Sequence, residues 1–134
     1  MNVIAVADTH AVLWYVYASP ELSNAARTWI EDAAAHGAFI GVSAISLAEI
    51  VYLIEKGKVA QDAYARLMQN IGDPQNVLKE LPVTSQIIEA MRKIPYRSVP
   101  DFPDRIIAAT AKAFDVPVIS RDRNIRTAEI ESIW

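Results

Sequence analysis

The sequence predicts an α/β fold, a three-layer α/β/α sandwich with a mainly parallel central sheet. Three observations carry this. Short runs rich in Val and Ile alternate along the chain with longer runs of helical periodicity. The first of the short runs, NVIAVA, is apolar throughout, which suits a strand buried on both faces. The 134 residues show no linker, repeat or low-complexity segment, so one domain over 1–134 is expected, long enough to bury a core.

Taken in order, residues 2–7 form the first predicted strand, which ends at Asp8. The stretch 9–22 is assigned to no regular element; Trp14, Tyr15 and Tyr17 read as core packing after the strand, with a stacking face for nucleic-acid bases as the alternative. Ser23 is a good N-cap and Gly37 a good C′ residue, so a helix lies between them. AFIGV, 38–42, is the second strand. SAISLAEIVYLIEKGK reads as a helix stopped by Gly57, and AQDAYARLMQNIG as another ending at the turn signal GDP. VLKELPV, 77–83, alternates weakly and is a strand. TSQIIEAMRKI opens on cap residues and ends before Pro95. The helix PDRIIAATAKAFD, the strand VPVIS at 116–120 and a closing edge strand EIESIW complete the chain. Trp29, Ile30, Leu47, Ile50, Leu53 and Ile54 are expected in the core or at a dimer interface.

Composition narrows the function classes. No apolar run reaches membrane-spanning length, and MNVIAVADTH has neither a positive n-region nor a small-residue cleavage site. The chain has no cysteine, which excludes disulfides and thiolate metal sites and fits a cytoplasmic protein. His10 and His36 are the only histidines, too few for a multi-histidine zinc site, so a bound metal would be a hard cation on carboxylates. The net charge of −3 argues against a simple basic nucleic-acid binder. Residues 92–126 nevertheless hold eight positive against four negative charges.

Geometry brings distant acids together. A helix from Pro103 to Phe114 is roughly 18 Å long, and a strand from Val116 to Ser120 covers about 16 Å. The chain runs down one and back up the other, so Asp104 and Asp122 reach the same sheet edge. Asp8 closes the first strand at its carboxyl end, and Glu49 lies in the early turns of the helix after the second. Open α/β sheets bind ligands in the crevice at that edge. Four carboxylates there repel one another unless a cation neutralises them, and Mg²⁺ or Mn²⁺ prefers such oxygen ligands and polarises phosphoryl groups. Each acid also has a structural explanation. Asp104 suits the helix dipole, Ser46 and Glu49 fit a capping box, and Asp8 and Asp122 suit turns. Thr9 and Ser120 are either hydrogen-bond partners that fix the rotamers of the acids or turn residues, and Asp101 is either a further acid or part of the helix N-cap.

These residues carry a family pattern. ADTHAVLWYV, VSAISLAEI and PDFPDRIIAATAKAFDVPVISRDRNI resemble, in order and spacing, the motifs of PIN domains, and within them of VapC-type toxins of prokaryotic toxin–antitoxin systems. The resemblance covers nearly the whole chain. It implies a PIN-like fold and a catalytic, metal-binding set at Asp8, Glu49, Asp104 and Asp122, with Asp101 matching an additional acid of many relatives. It also implies Mg²⁺ or Mn²⁺, endonucleolytic cleavage of RNA, a homodimer, and inhibition by a cognate antitoxin. Where some relatives carry a His-Arg pair before that additional acid, this chain has Val99 and Pro100. Arg105, Arg121, Arg123 and Arg126 are candidates for guiding RNA. A phosphatase with an aspartate nucleophile would want a carboxylate at position 10, which is His. A PIN-like module that binds RNA or protein without cleaving it is the remaining alternative.

Overall fold

A computed structural model describes residues 2–127 and 130–134; of Arg126 and Thr127 it describes the backbone alone. The first strand, β1 (Val3–Ala7), leads into helices α1 (Thr9–Val16) and α2 (Asn24–Ala35). Strand β2 (Phe39–Ser43) is followed by α3 (Ala44–Glu55) and α4 (Ala63–Gly72), and β3 (Leu78–Leu81) by α5 (Ser85–Arg92) and α6 (Phe102–Phe114). Short β4 (Val118–Ile119), α7 (Arg123–Thr127) and β5 (Ser132–Ile133) close the chain.

The five strands lie in the order β3-β2-β1-β4-β5, and every described pairing is parallel. The sheet expected to be mainly parallel is therefore parallel throughout. Helices cover both faces. Ala5, Ala7, Ile40 and Val42 face Ala11, Ile30, Ile50 and Leu67 of α1 to α4. On the other face Val6 and Val118 meet Ile87, Ile107 and Ile125 of α5 to α7. This is the predicted three-layer arrangement. Within β1 the register slips between Val3 and Ala5, so that Val3 joins the second face despite its odd position. Among the described residues no helix is long and apolar enough to cross a membrane.

The elements differ from expectation in four places. Residues 9–16 are helical, because Asp8 accepts a hydrogen bond from Ala11 N at 2.9 Å and so caps a helix the apolar sequence had hidden. Ser46 is not the cap of α3; Ser43 is, its hydroxyl accepting from Ile45 N, and Ser46 lies buried one turn in. The strand expected over 116–120 pairs only through two residues. The closing strand is likewise confined to Ser132–Ile133, at the sheet edge as expected, and Glu129, its expected first residue, lies outside the described residues.

Gly41 shows how tightly β2 is packed. A Cβ there would lie 2.3 Å from Leu81 Cδ1 and 3.4 Å from Val3 Cγ1. Leu81 is itself buried, so its side chain would have to shift within the core. Gly41→Ala is expected to destabilise the fold by about 1–3 kcal/mol, read as a lower urea midpoint with unchanged slope.

The order of strands positions the site. From β1 the chain steps through β2 to β3, then crosses back to place β4 on the other side of β1. The carboxyl ends of β1 and β4 thus flank the point where the winding reverses, where such sheets open a crevice. Asp8 leaves β1 there, and Ser120 leaves β4.

Candidate active site

Backbone and side chain together join those two strand ends. Asp8 N donates to Ile119 O at 3.0 Å, and the Ser120 hydroxyl donates to Asp8 Oδ2 at 2.5 Å. Ser120 Oγ accepts in turn from Asp122 N at 2.9 Å, so one serine sets the positions of two acids. Asp122 Oδ1 then accepts from Asn124 N and Ile125 N, capping α7. On the opposite side Glu49 projects from α3. Thr9 Oγ1 bonds Glu49 Oε1 at 2.5 Å and Ser46 Oγ at 3.0 Å. A hydroxyl carries one proton, so with Glu49 ionised Thr9 donates to it and Ser46 supplies the second bond. Asp101 is the N-cap of α6, accepting from Asp104 N at 3.1 Å.

These acids share one cleft of about 310 Å³, lined by Asp8, Glu49, Asp101, Asp104 and Asp122 together with His10, Trp14 and Arg121. The four acids read from the sequence therefore do reach one place. They do not meet as a finished ligand set: among the described residues no group of three or more His, Asp or Glu side chains is arranged to hold a metal ion. Asp8, Glu49, Asp101 and Asp122 are each turned toward a hydrogen-bond donor of their own.

Asp104 is different. Burial, and then the charges of Asp101, Asp122, Asp8 and Glu49, push its carboxyl up to about 8. Burial also raises Asp8, only partly offset by the bonds from Ser120 and Ala11 and by nearby His10. An all-oxygen donor set crowded enough to hold a proton near neutral pH fits a hard dication better than any soft one.

The arginines separate. Arg121 lines the cleft, its guanidinium 4.5 Å from the Trp14 ring centroid and 2.8 Å from Glu21. Arg123 is exposed at the start of α7. The Arg126 side chain lies outside the described residues. Arg105 does not line the cleft; its Nε and Nη2 donate to Ile94 O at 3.1 and 2.9 Å and Nη2 also to Met91 O at 3.2 Å. It closes the carbonyl end of α5 against α6, which is a structural duty. Arg105→Gln is expected to cost about 1–3 kcal/mol of stability. An unchanged urea midpoint would mean the guanidinium is available for another contact, RNA included.

A family model for the PIN domain matches residues 5–131. The chain belongs to the PIN-domain family. No curated protein matches it by sequence. Solved structures share the fold of this PIN domain at low identity. VapBC2 from Rickettsia felis, solved with a DNA fragment from its promoter, superposes with a TM-score of 0.71 at 15% identity over 96% of both chains. FitAcB from Neisseria gonorrhoeae gives 0.63 at 18% over 96% of both. A toxin–antitoxin complex from Klebsiella pneumoniae gives 0.57 at 17% over 88% of this chain and 86% of its own.

Ser46, which in the sequence fits a capping box, bonds Thr9 instead. His10 and Trp14 line the cleft side by side, a pairing that their four-residue spacing on a helix would have shown had Asp8 been read as an N-cap.

Proposed function

We propose that this PIN domain is a metal-dependent endoribonuclease, the toxin of a toxin–antitoxin pair that acts as a homodimer and is restrained by a cognate antitoxin. One observation carries the reading. Every other acid of the cleft earns a local hydrogen bond, whereas Asp104 sits amid burial and four negative charges, so folding gains nothing from its carboxylate. PIN domains are generally nucleases that use divalent ions, and one solved structure that shares the fold is a toxin–antitoxin complex.

In this reading Asp8, Asp104 and Asp122 hold Mg²⁺ or Mn²⁺, directly or through water, and Glu49 completes the set or orients a water. The ion, when bound, neutralises the carboxylates and polarises a phosphoryl oxygen of the substrate. Ser120 keeps Asp8 and Asp122 in place, and Thr9 holds Glu49 by Oε1, leaving Oε2 to accept a proton from the attacking water. Water, giving up its proton to Glu49, attacks the phosphodiester in line, the P–O bond to the leaving oxygen breaks, and that oxygen takes a proton from solvent.

The second reading is a non-catalytic module that binds RNA or protein; the local hydrogen bonds that Asp8, Glu49, Asp101 and Asp122 each accept favour it. Incubating purified protein with total RNA in Mg²⁺ or Mn²⁺, beside EDTA and an Asp8→Asn variant, separates the two. Discrete fragments that vanish in both controls are the expected result. Intact RNA, with antitoxin shown to be absent from the preparation, would put the binding module ahead.

A further inference from the structure

The cleft is lined by more than its acids: His10, Trp14 and Arg121 line it too. His10 and Trp14 lie one turn apart on α1, with ring centroids 5.6 Å apart at 45°. Trp14 is backed by Trp134 at 5.7 Å and covered by the Arg121 guanidinium at 4.5 Å. Glu21 holds Arg121 through Nη1, which leaves Nε and Nη2 for a further acceptor. An exposed imidazole and an exposed guanidinium, both planar, thus lie against a half-buried indole in the lining of an otherwise acidic cleft. Trp14 and Trp134 pack on the core, whereas the exposed Arg121–Glu21 ion pair adds little to stability. A flat aromatic face beside a forked cation matches the two recognisable parts of one nucleotide: a base that stacks and a phosphate that accepts two hydrogen bonds.

We propose that His10, Trp14 and Arg121 form a nucleotide subsite for single-stranded RNA beside the carboxylates. The base of a nucleotide flanking the cut stacks on His10, and Arg121 takes the adjoining phosphate. The proposal rests on RNA being the substrate, as set out under the proposed function. It adds that the strand must be unpaired at this nucleotide, since stacking on a side chain needs a base face that a duplex covers.

The test uses labelled single-stranded oligoribonucleotides in which one position at a time around the cut is made abasic. With the unaltered protein one abasic position is expected to raise KM about tenfold. That penalty disappears in His10→Ala, which starts from the higher KM, and returns in His10→Phe, which restores a flat ring. Arg121→Gln raises KM and flattens its salt dependence by the share of about one phosphate contact. A penalty that persists in His10→Ala, or no sensitive position at all, overturns the subsite. If the unaltered protein cleaves no RNA, the nuclease reading fails separately, and fluorescence anisotropy with the same oligonucleotides decides the subsite. Weaker binding by His10→Ala and Arg121→Gln then supports it in a binding module, and equal affinities overturn it.

Discussion

Asp104→Asn is expected to raise the melting temperature of the metal-free protein while removing its RNA cleavage, by about a hundredfold or more. The two effects share one cause. Unfolded, this carboxyl titrates near its ordinary 3.8, and folded at about 8. Between those values the folded protein binds more protons than the unfolded chain, so stability falls as pH rises through the window and levels off above about pH 8. Asparagine carries no charge at any pH. Its advantage is therefore small below about pH 4 and full above about pH 8, reaching about 1–3 kcal/mol once solvent screening of this partly exposed side chain is allowed for. Calorimetry in EDTA across that range measures it. Mg²⁺ or Mn²⁺ should then stabilise the unsubstituted protein more than the variant. A variant less stable than its parent at high pH in EDTA would sink the claim that Asp104 burdens the fold.

Thr9→Val, which keeps the shape and removes the hydroxyl, is expected to slow cleavage about 10–100-fold and to raise the Mg²⁺ or Mn²⁺ concentration giving half the maximal rate. Thr9 is buried, and its single proton holds Glu49 at 2.5 Å. Without it Glu49 turns to solvent and Ser46 loses a buried partner. Thr9→Ser retains the hydroxyl and should recover most of the rate. A loss confined to stability, with the metal dependence unmoved, would reduce Thr9 to a packing residue.

Much of the fold was legible because parallel sheets write themselves in apolar runs. NVIAVA and FIGV announce strands buried on both faces, and Ser23 with Gly37 brackets a helix by its capping chemistry. Less legible was α1. THAVLWYV is apolar on nearly all sides, so it has little periodicity to detect, and its start is marked only by an aspartate that also reads as a turn. The four acids could be brought to one edge by length arguments alone, since a helix and the strand after it nearly cancel in rise. What those arguments cannot supply is the rotation of each side chain. Asp8 turns to Ser120, 112 positions away, and Glu49 to Thr9, 40 positions away.

By itself, then, the sequence determined the α/β layering, the family motifs, and the common edge of Asp8, Glu49, Asp104 and Asp122, because layering and edge follow from local periodicity and from rise per residue. Only the tertiary structure decided which acids are held by neighbours and which one is stranded, that Arg105 clamps α5 instead of facing the cleft, and that His10, Trp14 and Arg121 line the same cleft as the acids. Hydrogen bonds, burial and ring contacts between residues far apart along the chain exist only once the strands are laid side by side.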